Sequence, residues 1–337
     1  MKINKIISLL AAATLGVSAF TGCGASTDNN SSVDNTNSDN TISIVTTIFP
    51  EYDWVREIVG DNDNVEITML LDNGVDLHNY QPTAEDIMKI ATCDVFVYVG
   101  GESDEWVEDA LSEASNKDMQ VVNLLESLGE SVKEEEVVEG MMAEEEEEAE
   151  AEEGEEEEVE YDEHVWLSLK NAQVLVDAIE QAIATVDADN SDTYAANASA
   201  YNDKLAALDE KYQAVIDEAS IKTVLFGDRF PFRYLVDDYG IDYYAAFVGC
   251  SAETEASFET ITFLAGKVDE LNLNTVFTIE NSDQKIAKTI IENTSAKDAQ
   301  ILALDSMQST TADDVSAGVT YLSVMEGNLD VLSQGLN

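Results

Sequence analysis

Residues 93–99, CDVFVYV, form an apolar run broken only by Asp94. A run like this reads as a strand covered on both faces, and such strands belong to parallel sheets flanked by helices. The neighbouring segments fit a sheet of that kind. Residues 41–48 and 65–71 are rich in β-branched and apolar residues, and 53–59 between them carry apolar residues at helical spacing. Thr83-Ala84-Glu85-Asp86 has the pattern of a capping box that opens a helix. A helix around 106–114 and a strand at 119–124 complete a β-α-β-α-β series, which predicts a parallel, doubly wound lobe.

The second half repeats this alternation without repeating the sequence. Strands are expected at 223–226, 241–247, 275–279 and 300–304, with helices at 256–271 and 283–293 and a closing helix at 312–334. Between the halves, residues 168–219 are rich in Ala, with Leu, Val and Tyr every three to four positions and no Pro. They predict two helices, 169–186 and 191–218, broken near 187–190, forming a stiff connector. The expected fold is therefore α/β, with two doubly wound parallel-sheet lobes, 41–167 and 221–337, joined by a long rigid helical connector over 168–220. A cleft is expected between the lobes.

Residues 130–163 depart from the pattern: 20 of 34 positions are Asp or Glu, against one Lys. Like-charge repulsion predicts a disordered acidic loop there. It reads either as a solvated spacer or as a field that gathers cations near the cleft. The loop holds 19 of the 54 negative charges of the 337-residue chain. A balance of 16 Lys and Arg against 70 Asp and Glu excludes ordinary nucleic-acid binding, which needs a basic surface. It also disfavours docking on anionic lipid through a polybasic patch.

The chain begins as a sorting signal. Lys2 and Lys5 precede an apolar run, 6–20, too short to span a membrane. Phe20-Thr21-Gly22-Cys23 resembles a bacterial lipobox, which predicts a signal peptide over 1–22 and lipidation of Cys23. Residues 23–40 hold almost nothing that packs and read as a disordered tether. The protein is then expected to be exported and lipid-anchored on the outer face of the cytoplasmic membrane. Cys93 and Cys250 read as buried free thiols rather than as a disulfide, which sequence alone does not establish.

In open parallel sheets, ligands collect beyond the carboxyl ends of the strands. Both histidines of the chain fall near such places. His78 follows the strand at 65–71, and His164 ends the acidic loop before a helix. Asp228, Glu280 and Asp305 follow the strands at 223–226, 275–279 and 300–304. Imidazole nitrogen and carboxylate oxygen together suit a divalent transition metal ion. With 70 acids in the chain, some end strands by chance, so the carboxylates weigh less than the histidines.

Four motifs in order carry a specific likeness. Val45-Thr46-Thr47-Ile48-Phe49-Pro50 and Gly74-Val75-Asp76-Leu77-His78-Asn79-Tyr80-Gln81-Pro82-Thr83 are followed by Glu163-His164-Val165-Trp166-Leu167 and then by the turn at 249–257. The chain resembles the metal-binding lipoproteins of zinc and manganese ABC importers over about 42–335. The resemblance implies that His78 and His164 are metal ligands, with Glu280 and Asp305 as acids at strand ends. It implies Zn2+ as the transported ion, with Mn2+ second, an ABC permease as partner, a monomer and no catalytic activity. The family's third ligand comes as F-H-D or F-E-D, whereas this chain has Phe226-Gly227-Asp228, so Asp228, water or Glu280 is left to complete the site. Leu77 replaces the usual Pro, and the acidic loop lacks His. The rival readings are a membrane-anchored zinc hydrolase, which would need an open coordination position and a general base, and a surface adhesin or structural lipoprotein.

Overall fold

The computed structural model describes residues 41–142, 160–251 and 255–337. The signal segment, Cys23, the tether and residues 143–159 of the acidic run lie outside the described residues.

The first lobe runs β1 Ile42–Thr46, α1 Phe49–Val59, β2 Val65–Met69, α2 Ala84–Thr92, β3 Val95–Tyr98, α3 Trp106–Ser112, β4 Gln120–Asn123 and α4 Leu124–Leu128. Its sheet is wholly parallel, ordered β2-β1-β3-β4. Helix α1 starts earlier than apolar spacing predicts. Pro50 sits in the first turn, where a missing N–H is no loss, and the Glu51 carboxylate accepts from the N–H groups of Thr47 (2.8 Å) and Ile48 (3.2 Å). Thr83 caps α2 as its sequence pattern requires.

The connector consists of α5 Leu169–Val186 and α6 Ser191–Glu218, broken by a 3-10 turn at Ala188–Asn190. Helix α6 has 28 residues, a length of about 42 Å. It is fastened at both ends. Asn197 donates to the Ile58 carbonyl of the first lobe (2.9 Å), and the Tyr212 hydroxyl donates to the Met325 carbonyl of the second (2.6 Å).

The second lobe runs β5 Thr223–Phe230, α7 Arg233–Tyr239, β6 Asp242–Val248, α8 Phe258–Leu271, β7 Thr275–Ile279, α9 Lys285–Asn293, β8 Gln300–Leu304, α10 Ala312–Ser316 and α11 Tyr321–Gly335. Its order, β6-β5-β7-β8, is the same permutation, again parallel. Strand β5 extends past the expected end at 226 by admitting a bulge between Phe226 and Arg229. The closing helix is two helices, because Gly318 takes φ +98° and Thr320 caps a new start.

The disordered loop expected over 130–163 is too wide. Its flanks, 130–142 and 160–163, are packed: Glu135 N–H donates to the Glu160 carbonyl and Asp162 N–H to that of Lys133, both at 2.9 Å. Met142 N–H reaches the Ala246 carbonyl beside β6 at 2.9 Å. The repulsion argument averages over the run, whereas the flanks carry apolar anchors, Val132, Val138 and Met141, that join the core. Cationic partners also offset their charge, Lys133 with Asp237 (2.8 Å) and Arg233 with Glu136.

One buried cluster runs from β1 and α1 through α5 and α6 to α11, taking in both lobes and the connector. At the seam, Trp166 Nε1 donates to the Ser306 carbonyl (2.9 Å) and the Tyr321 hydroxyl to the Trp166 carbonyl (2.6 Å). The ring of Tyr321 stands edge-on to Trp54, with centroids 5.2 Å apart.

Candidate metal centre

His78 lies on a 3-10 turn, Leu77–Asn79, whose start is capped by Asp76: its side chain accepts from the His78 N–H at 3.1 Å. His164 is fully buried at the start of another such turn, Val165–Leu167, and its N–H donates to the Asp162 carboxylate at 2.9 Å. These short, hydrogen-bonded turns fix where each ring projects. The two Nε2 atoms face one another at 3.2 Å. Each Nδ1 is held from behind, that of His78 by the Ser103 hydroxyl (2.7 Å) and that of His164 by the Asp162 carboxylate (3.0 Å). An acceptor on Nδ1 leaves the Nε2 lone pair directed inward, the arrangement that metal-binding imidazoles use.

The Gln308 side-chain nitrogen, from the second lobe, lies 2.9 Å from His78 Nε2 and 3.0 Å from His164 Nε2. Its oxygen accepts from the Ser306 hydroxyl (3.0 Å), which orients the NH2 group toward both rings. Burial, followed by the charge a protonated His164 would bring close, holds the His78 imidazole well below its usual pKa. His78 therefore stays neutral and able to ligate.

A family model described as "ZnuA: Zinc-uptake complex component A periplasmic" matches residues 44–335. The chain belongs to this zinc-uptake family. Among ZnuA-family relatives, the zinc-binding lipoprotein AdcA of Streptococcus pneumoniae is 32% identical over 296 residues, 88% of this chain and 56% of that protein. The chain thus spans about half the length of that relative. The high-affinity zinc uptake system protein ZnuA of Bacillus subtilis is 31% identical over 295 residues, 88% of each chain. The solved Zn(II)-bound ZnuA-like domain of Streptococcus pneumoniae AdcA aligns with TM-score 0.67 and 28% identity, over 88% of this chain and 99% of that one.

Against that ZnuA background, the acids expected to complete the site are held elsewhere. Asp228 accepts from the Ser282 hydroxyl and from the Arg229 N–H (2.9 Å). Glu280 accepts from the Ser306 N–H (2.7 Å) and hydroxyl (2.8 Å), and Asp305 from the Met307 N–H (2.8 Å). Asp305 caps its own strand-end loop, whereas Asp228 ties to the loop after β7 and Glu280 to the loop after β8, roles that strand position alone does not separate from ligation. At Gly227 there is no opening for a ligand side chain. A Cβ there would stand 2.5 Å from Ala287 Cα, because α9 packs directly on the bulge.

Among the described residues, the one group of three or more His, Cys, Asp or Glu whose possible ligand atoms all lie within 4.8 Å of one another is His78, His164 and Cys250. Both cysteines are free. Sequence reasoning found the two histidines. It missed Gln308, a neutral amide outside the usual ligand types, and it read Cys250 as a buried free thiol, whereas the thiol is free but half-buried. The fragment Glu163-His164 also hid a supporting residue: Glu163 Oε1 accepts from the Ser103 N–H (2.9 Å), fixing the loop that holds His78.

Arg229 of β5 pairs with Asp76 across the cleft at 2.6 Å. Against the effect of its burial, the Arg229 guanidinium holds the Asp76 carboxyl below the usual range. The same aspartate caps the His78 turn, so this ion pair ties the second lobe to the ligand loop of the first.

Proposed function

We propose that this protein captures Zn2+ outside the cytoplasmic membrane, held there by lipid on Cys23, and delivers it to an ABC permease for uptake. The observation that carries the reading is the pair of Nε2 atoms 3.2 Å apart, with both Nδ1 atoms anchored by acceptors. Imidazole pairs suit zinc more than manganese, which prefers oxygen donors. Membership of the zinc-uptake family supports zinc as cargo, and the relative named a zinc-binding lipoprotein supports the lipid anchor. The connector, fastened to both lobes, suits release through small shifts rather than wide hinge closure.

Elemental analysis of the mature chain, after incubation with equal amounts of ZnCl2 and MnCl2 and dialysis, tests this. One zinc per chain with little manganese is expected. A chain that emerges metal-free refutes the reading.

A further inference from the structure

We propose that Cys250 is a metal ligand, so that the cleft is a two-imidazole, one-thiolate site selective for zinc over manganese. The proposal rests on the reading of the cleft as a zinc site and names its third donor. One ring nitrogen from each histidine and the Cys250 Sγ lie within 4.8 Å of one another. Donor atoms around a single tetrahedral zinc are separated by about 3.3–3.5 Å, given Zn–N near 2.0 Å and Zn–S near 2.3 Å. Closure by about 1 Å therefore brings all three onto one ion.

The local chain is built for that approach. Cys250 follows β6 in a turn, and the preceding Gly249 lies against the His164 ring. A Cβ at 249 would stand 2.7 Å from His164 Cε1 and 3.0 Å from its Nδ1. Only a residue without a side chain lets the backbone pass so close to the imidazole, and the next residue carries the thiol.

The surroundings of Cys250 differ from those of the other cysteine. Cys93 is a fully buried thiol against the Ile90 carbonyl and the Met119 sulfur, at home in an apolar core. Cys250 lines a cavity of about 210 Å³ with His78, Ser103, Glu135 and Glu163. Glu163 is 2% exposed, and its Oε2 accepts no hydrogen bond, its nearest polar neighbour being His78 Nδ1 at 3.4 Å; Glu135 Oε1 in the same cavity also lacks a donor. Buried carboxylate oxygens without donors are costly, and a cation held by the neighbouring thiolate and imidazoles offsets that cost. As the metal–sulfur bond forms, the thiol proton leaves to solvent. Thiolate is a soft donor that selects zinc, whereas manganese favours carboxylate, carbonyl and water.

The probe is Co2+, whose thiolate complexes show an intense sulfur-to-metal charge-transfer band in the near ultraviolet. Full-length mature protein, stripped with chelator and kept reduced, is titrated with CoCl2. The band is expected to rise to one cobalt per chain, to persist in Cys93→Ser and to vanish in Cys250→Ser. The Cys250→Ser chain should still bind zinc, at least about tenfold more weakly, with manganese affinity little changed. Stoichiometric cobalt binding by the unmodified protein without the band overturns the ligand role of Cys250 and leaves the zinc site standing. Failure of the unmodified protein to bind cobalt or zinc overturns both. Should Cys250→Ser fail to fold, the spectrum of the unmodified protein alone decides.

Discussion

The two lobes share one strand permutation yet treat their acids in opposite ways. Every Asp or Glu that is buried among the described residues, namely Glu51, Asp53, Asp104, Asp162 and Glu163, lies in the first lobe or in the segment leading out of it. Among its described residues the second lobe buries none, although it carries the strand-end acids that a sequence reader notices first. In the first lobe a carboxylate that is taken out of water is spent on orienting a turn, a helix start or an imidazole. In the second lobe the strand-end carboxylates tie loops together, Glu280 and Asp305 holding the buried Ser306–Met307 turn, and themselves remain partly wet. Topology alone thus does not say where a site's chemistry resides; the desolvated groups do.

The contrast breaks first at the histidines. His78→Ala or His164→Ala should lower zinc affinity by at least about 100-fold in a chelator-competition titration, since each removes a donor whose far nitrogen is already anchored. Retention of near-normal affinity by both variants would place the site outside the first lobe's turns.

Asp104 tests the burial side of the comparison. Burial, and next the nearby Glu163 charge, push its carboxyl up to about 7. Its ordinary value is 3.8. Between those values the folded chain holds a proton that the unfolded chain has lost. The stabilising contribution is therefore complete below about 3.8 and falls away as pH rises through about 7. Asp104→Asn, which is neutral at every pH, should raise stability by about 4 kcal/mol at pH 8 and by less than about 2 kcal/mol at pH 5. Thermal unfolding at the two pH values reads the difference.

A smaller effect is expected at Gly249→Ala. The added methyl meets the His164 ring at 2.7 Å and must displace it, so zinc affinity should fall by about tenfold while the far-ultraviolet circular dichroism is unchanged. The least effect belongs to the second lobe's acids. Asp228→Ala and Asp305→Ala should alter zinc affinity by less than about threefold, because both carboxylates are already engaged by strand-end hydroxyl or backbone N–H donors. A loss as large as that of the histidine variants would erase the distinction between the lobes.

Much of the scaffold was legible because it follows from periodicity. Strands β7 and β8 and the break between α5 and α6 fall where apolar runs and the Asp187–Asn190 interruption place them. Helix α7 was not foreseen, since its seven residues are too few to establish a period and it stands between Pro231 and Gly240. The acidic flanks were misjudged because net charge is a property of the run, whereas burial is decided by single apolar anchors such as Met141. At the site, the histidines were legible because there are only two. Cys250 and Gln308 were not, since nothing in a linear pattern shows that a turn after β6 and a loop after β8 converge on those rings.

The buried cluster that runs through both lobes and the connector has a consequence for how the molecule comes apart. Melting one lobe would strip the apolar partners of Trp54, Trp166 and Tyr321 from the other. The lobes therefore cannot serve as separately excisable modules, and heat should bring the whole body down in a single cooperative transition.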